Sequence, residues 1–274
     1  RARQDIQTVV AFLTTRVKNP DEDDWGKLKR VLKYLNGTKY LKLKLSVDGL
    51  GMLKWYVDGS HNVHWDCKGH GGAVFRMGKG ATISYSRKVK MNTRSLTETE
   101  LCAADMFMPE MLWSLHFIQA QGYEAECVGL YQNNISTHLL IKNGKMSSGK
   151  KTKHIKAKFF FIKDRVDDGE IKVLDCPAEE MWADVMTKPL QGTAFRIMQA
   201  ELMNCPINYE DPEENTNTKC ERKNPISGGK MVTWKAEIAT LFKTPQECVG
   251  QNKIRHNKPT MDKCVGRTKY PCRG

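Results

Sequence analysis

Nowhere in the chain does an apolar run approach the roughly 18 residues that a membrane span requires. The opening Arg1-Ala2-Arg3-Gln4-Asp5 has no apolar core and no small-residue cleavage site, so no signal peptide is expected. A first residue other than Met is what a fragment or processed piece of a longer protein would show. No strongly amphipathic basic helix suited to lying on an anionic membrane stands out. Cys-x-x-Cys pairs are missing too. The 9 cysteines are odd in number and scattered, without a Cys/His cluster at zinc-finger spacing. A disulfide framework and a zinc ribbon are thereby disfavoured, and free thiols in a reducing compartment are expected. There is no internal repeat.

What is present is positive charge. Lys and Arg number 44 against 31 Asp and Glu, a net charge of +13, and the pI is near 9.3. Such a surface attracts polyanions by phosphate neutralisation and counterion release, and nucleic acid is the first candidate. Charge kept only for solubility is the bland alternative. A mean hydropathy of -0.55 with 40% hydrophobic residues predicts a globular class. The 274 residues suffice for one sizeable core with extensions, or for two small domains.

Periodicity organises the chain. Ile6, Val9, Val10, Leu13 and Val17 recur at helical spacing. Asn19-Pro20-Asp21 breaks that helix, and Asp21 to Asp24 favour the first turn of a second, carrying Trp25, Leu28, Val31, Leu32 and Leu35. The period then falls to two, and Leu41, Leu43, Leu45 and Val47 predict a strand before Asp48-Gly49. Further strands are predicted near Met52–Asp58, Gly72–Met77, Ala81–Ser86, Cys127–Tyr131 and Ile171–Leu174. A long helix is predicted over about Thr97–Gln121, kinked at Pro109, with shorter ones at Ile135–Ile141, Ile155–Val166 and Trp182–Met186. This is a mixed α/β order. Beyond Cys205 the periodicity fades into a polar and then basic tail, expected to be loosely ordered.

Three carboxylates sit at element ends where they could converge: Asp58 at the end of a strand, Glu100 in the first turn of the long helix, and Asp184 in the last predicted helix. Carboxylates on rigid elements suit hard cations, and paired ions clamp the oxygens of a phosphodiester during hydrolysis. Each has a plain alternative. Asp58 could open a turn with Gly59, Glu100 or Glu98 could complete a capping box with Thr97 or Ser95, and Asp184 could be solvated. Spacing alone leaves these alternatives open.

Several motifs, in order, resemble copia-type LTR retrotransposon ribonuclease H. They are Tyr56-Val57-Asp58-Gly59-Ser60, Gly71-Gly72-Ala73-Val74-Phe75, Ile83-Ser84-Tyr85-Ser86-Arg87-Lys88, Ser95-Leu96-Thr97-Glu98-Thr99-Glu100-Leu101, Lys151-Thr152-Lys153-His154-Ile155 and Trp182-Ala183-Asp184-Val185-Met186-Thr187-Lys188-Pro189-Leu190. Asp24-Trp25-Gly26-Lys27-Leu28-Lys29-Arg30 and Tyr34-Leu35-Asn36-Gly37-Thr38 are similar to the end of the copia reverse transcriptase. The resemblance covers roughly residues 1–199. It implies a ribonuclease H-like mixed five-stranded sheet with flanking helices over residues 51–199. Residues 1–50 would be the end of reverse transcriptase, two helices and a strand, and residues 200–274 a basic, poorly ordered extension.

The implied activity is metal-dependent hydrolysis of the RNA strand of RNA–DNA hybrids during reverse transcription, with two Mg²⁺ ions, or Mn²⁺, as cofactor. The implied metal-binding and catalytic residues are Asp58, Glu100, Asp184 and the position after the fourth strand. There the family has Asp before Asn, and this chain reads Gln132-Asn133-Asn134. Asn133 offers a neutral carbonyl oxygen, a weaker ligand for a hard cation, and the site falls from four negative charges to three. Weakened cleavage, a non-catalytic hybrid-binding module and a decayed remnant all stand open.

The implied partners are the hybrid and the adjoining reverse transcriptase of the same polyprotein, with no membrane. The implied location is intracellular, in cytoplasmic particles or the nucleus. Lysines 142, 145, 150, 151, 153, 156 and 158 surround Gly144, Ser147, Ser148 and Gly149, a composition suited to a phosphate backbone or to a merely solvated loop. Lys150, Lys151, Lys153 and His154 are the nucleic-acid-binding candidates. His154 could assist proton transfer or product release, or only cap a helix.

Overall fold

The computed structural model describes residues 2–143 and 153–207, with the side chains of 143 and 153–159 left aside. A 3-10 turn, Gln4–Ile6, leads into α1 (Gln7–Thr14) and then α2 (Glu22–Asn36). A capping box opens α2. The Asp21 carboxylate accepts from the Asp24 N–H at 2.8 Å, and Asp24 accepts from the Asp21 N–H at 3.2 Å. Arg16 pairs with both carboxylates.

The apolar stripe read for α1 is only partly covered, with Ile6, Val9 and Leu13 half-buried. Thr8 points inward and donates to the Val185 carbonyl, while Phe12 stacks on His64 and His70 with centroids 4.8 and 4.6 Å away. Val10, Val17, Trp25 and Leu32 face outward.

No strand forms over residues 41–47, contrary to expectation. A ladder needs one continuous partner strand. Here the N–H groups of Lys44, Ser46 and Asp48 donate singly to the carbonyls of Met203, Lys79 and Met77. Leu41 is buried, but Leu45 and Val47 are exposed.

The sheet comprises β1 (Met52–Ser60), β2 (His70–Arg76), β3 (Ile83–Lys88), β4 (Cys127–Gln132) and β5 (Ile171–Asp175). Its order is β3-β2-β1-β4-β5. Tight connections make β1–β2 and β2–β3 antiparallel, whereas β1–β4 and β4–β5 are parallel and need helical crossovers. These are α3 (Leu96–Ala120) in the first case, and α4 (Ile135–Asn143) with α5 (Lys153–Asp167) in the second. This is the mixed five-stranded sheet with flanking helices that the motifs implied. α3 runs unbroken through Pro109. Burial of Phe107, Met108 and Met111 against the sheet holds the turns on either side.

Strand alternation divides the core in two. Leu53, Trp55, Val57 and Phe75 face α3, with Ile141 and Ile162 completing that side. Tyr56 and Val74 face the other way, toward Met181, Val185 and Met186. The second side is closed by α6 (Asp184–Thr187) and α7 (Gly192–Met203). The α7 helix was not foreseen. Its Met198 and Leu202 are buried, so the ordered body continues past the expected boundary at residue 200. The tail beyond residue 207 lies outside the described residues.

Candidate active site

β1 stays a strand through Asp58 and ends at Ser60, so Asp58 does not open a turn. The next residue lets the long helix approach. A Cβ on Gly59 would lie 3.0 Å from the Thr99 carbonyl oxygen and 3.1 Å from the Glu100 Cα. Local capping then decides which glutamate turns inward. Ser95 accepts from the Glu98 N–H at 3.2 Å, and the Glu98 carboxylate accepts from the Arg94 N–H at 2.7 Å. Glu98 is therefore spent on the helix start. Glu100, only 3% exposed, accepts from the Gln132 amide at 3.3 Å and from the backbone N–H of Gly59. His61 Nδ1 lies 3.1 and 3.0 Å from the hydroxyls of Thr93 and Thr99, tying the loop after β1 to the start of α3.

From the opposite face comes α6. Gly72, the β2 partner of Asp58, leaves room for Ala183, Met186 and Thr187. Thr187 donates its hydroxyl to Asp58. The Lys188 ammonium lies 2.6 Å from Asp184 Oδ1 and 3.5 Å from Asp58 Oδ1. Asp58, Glu100 and Asp184 thus meet at one end of the sheet, although Asp58 and Glu100 belong to elements on different layers.

Their electrostatics confirm the crowding. Burial, then the charge of Asp58, pushes the Glu100 carboxyl up to about 9, against the pull of Gln132, Lys188 and the Gly59 N–H. Burial and Asp58 also raise Asp184, and Lys188 works against that rise. Burial disfavours the Lys188 ammonium, but Asp58, Asp184 and Glu100 outweigh it and raise its pKa.

Asn133 follows β4 directly, its N–H donating to the Gln132 side-chain oxygen at 3.0 Å. The parallel register of β1 and β4 runs to Tyr56 and Tyr131, and Asn133 lies one residue past the end of β4. Lys150 and Lys151 lie outside the described residues. Lys153 and His154 open α5, and their side chains lie outside them as well.

Gln132, Thr187 and Lys188 were not singled out from the sequence. Lys188 had a readable signal, since it stands four residues after Asp184, a spacing at which one helical turn brings an ion pair together. The contact of Gln132 with Glu100 has none, because it spans 32 residues.

Three carboxyl groups, two nearly fully buried, form a cluster short of positive charge, and their hard oxygens are the donors Mg²⁺ or Mn²⁺ takes. The donor chemistry therefore fits a divalent cation. Among the described residues no group of three or more His, Cys, Asp or Glu is spaced to hold a metal ion. The Lys188 ammonium lies against two of the carboxylates instead. The five described cysteines are free, and no described helix is long and apolar enough to cross a membrane.

Comparison with known proteins gives retrovirus-related Pol polyproteins among its relatives. Over 196 residues, 71% of its length, the chain is 31% identical to the retrovirus-related Pol polyprotein from transposon TNT 1-94 of Nicotiana tabacum. Over 201 residues it is 28% identical to the retrovirus-related Pol polyprotein from transposon RE2 of Arabidopsis thaliana. The chain spans 14% and 13% of those two polyproteins. No family model matches it. Among solved structures, RNase H1 from the archaeon Halobacterium salinarum covers 50% of this chain and 95% of its own, at 12% identity and a TM-score of 0.35.

Proposed function

As a homologue of the retrovirus-related Pol polyproteins of copia-type transposons, this chain, we propose, hydrolyses the RNA strand of RNA–DNA hybrids in a divalent-metal-dependent reaction weakened by Asn133. The convergence of Asp58, Glu100 and Asp184 at one end of the sheet is the observation that carries this reading. Metal ions held there would supply the positive charge that stabilises the attacking and leaving oxygens of the phosphodiester.

The chain's own contribution is placement. Asp58 is held by Thr187 and Lys188, Glu100 by Gln132 and Gly59, and Asp184 by Lys188. Asn133, just past β4, would add a neutral oxygen to the site. The hybrid would be gripped through its phosphates by the basic surface, Lys150, Lys151, Lys153 and His154 among the contributors. The adjoining reverse transcriptase of the polyprotein would be the partner, in an intracellular particle or the nucleus.

A second reading, a hybrid-binding module without cleavage, is favoured by the combination of Asn133 with an ammonium already seated between two carboxylates. Labelled RNA–DNA hybrid incubated with Mg²⁺ or Mn²⁺ separates the two. The wild-type chain should bind hybrid and cleave it weakly, and Asn133→Asp should cleave faster. A gain of about tenfold corresponds to roughly 1.4 kcal/mol of transition-state stabilisation, a modest demand on one recovered charged ligand. Binding by both proteins with cleavage by neither would reject hydrolysis and leave the binding module.

A further inference from the structure

We infer that the Lys188 ammonium is a built-in counter-ion of the Asp58–Asp184 pair, a positioning residue that a divalent cation must displace in order to bind. The inference rests on the metal-dependent reading of the same site and adds a residue to it.

Four observations place the ammonium there. Lys188 Nζ is 2.6 Å from Asp184 Oδ1 and 3.5 Å from Asp58 Oδ1, so one cation bridges two carboxylates from different elements. Asp58 has a side chain only 2% exposed, and its second oxygen is taken by Thr187. Burying a carboxylate without a cation is costly, and Lys188 is the only cation paired with Asp58 among the described residues. The lysine also reaches from solvent, with 39% of its side chain exposed, so its flexible stem can withdraw the charge without unfolding α6. Finally, the Asp58 and Asp184 oxygens that a metal would need are those the ammonium holds.

An ammonium and a divalent cation cannot share the same oxygens, because both need direct contact and repel each other at that distance. Lys188 therefore keeps Asp58 and Asp184 together before the metal arrives, and sets a cost that the metal must exceed. With Asn133 supplying no charge, that competition is weighted further toward the lysine.

The test uses the full chain and Mn²⁺ as the probe, with free ion counted by electron paramagnetic resonance. Lys188→Met, which keeps the stem and removes the charge, should bind Mn²⁺ at least tenfold more tightly than wild type, while Lys188→Arg should stay near wild type. In EDTA, Lys188→Met should melt below wild type, and saturating Mn²⁺ should raise its Tm more. Should Lys188→Met fold poorly, the ¹⁵N signal of the Lys188 ammonium in the wild type reports the same event, since Mg²⁺ should shift it as the ion pairs open.

Equal Mn²⁺ affinity in the wild type and Lys188→Met, or an ammonium signal that saturating Mg²⁺ leaves unmoved, would overturn the inference while leaving hydrolysis standing. Absence of Mn²⁺ binding in every variant would overturn both. Tighter binding by Lys188→Met, with no hybrid cleavage by any variant, would support Lys188 as counter-ion and reject hydrolysis alone.

Discussion

A Cβ on Gly72 would come within 2.6 Å of the Met186 Cβ, so strand β2 and helix α6 meet with no room for even one methyl group. The same missing side chain leaves 2.7 Å to the Thr187 methyl, beside the hydroxyl that reaches Asp58. Gly72→Ala should therefore displace α6, costing about 1–3 kcal/mol of stability by overpacking. Hybrid cleavage should fall at the same time, because Asp184 and Lys188 move with the helix. Urea denaturation together with the hybrid assay checks this. An alanine variant of unchanged stability would show that α6 yields freely and does not fix the site.

Glu100 should carry a pH signature in metal-free protein. Its ordinary value is 4.5 and its folded value about 9, raised by burial and by Asp58. The folded state thus keeps a proton that the unfolded state releases, so this group's contribution is fully present below pH 4.5 and is lost as pH rises toward 9. Glu100→Gln, which imitates the protonated form, should be more stable than wild type at pH 8 in EDTA by at least about 1 kcal/mol. Near pH 4.5 the two should converge. A variant less stable than wild type at pH 8 would contradict the burial argument.

His64 and His70 should produce the opposite trend. Ser86 donates to the Met186 carbonyl at 2.7 Å, so His70 Nε2 donates to Ser86 at 2.7 Å, and His64 Nε2 donates to His70 Nδ1 at 3.0 Å. His70 must be neutral for that chain, since its Nδ1 accepts while its Nε2 donates. Burial, assisted by the Lys88 charge, lowers His64 to about 4, and burial, then His64 and Lys88, lowers His70 to about 3. With folded values below the ordinary 6.5, stability is intact above that pH. It drains away as the unfolded state takes up protons below it, at up to about 1.4 kcal/mol per pH unit for each ring. His70→Gln should flatten the dependence between pH 6.5 and 4, measured by denaturant titration. An unchanged slope would mean that other groups control acid unfolding.

Salt dependence tests the lysine-rich segment, an expectation that rests on its charge alone. If it meets phosphate, changing Lys150, Lys151 and Lys153 to Ala should lower the log–log salt slope of hybrid binding by roughly two to three units. A slope that does not move would make the segment solvated surface.

Local chemistry by itself determined the elements whose stabilising groups lie close in the chain. The short runs of β1 to β3 between turn residues, the acidic first turn at Asp21, the Ser95 cap and the long apolar face of α3 are legible because each depends on neighbours a few residues away. The five-strand sheet followed from these pieces together with the ordered motifs. The failures share a cause. Residues 41–47 alternate like a strand, yet strand formation requires a partner strand, and the N–H groups of Leu41, Lys44 and Ser46 go instead to the scattered carbonyls of Thr38, Met203 and Lys79. α1 has an apolar stripe, but the surface it meets offers the Val185 carbonyl and two histidine rings, so Thr8 and Phe12 face inward. At the site, sequence motifs brought Asp58, Glu100, Asn133 and Asp184 to notice. Only the tertiary structure decided that Glu98 caps the helix while Glu100 turns inward, and that Lys188 reaches Asp58 across 130 residues. Charges so far apart in sequence become partners only when glycines at 59 and 72 let a helix close on each face of the strand between them, and neither periodicity nor propensity records that closeness.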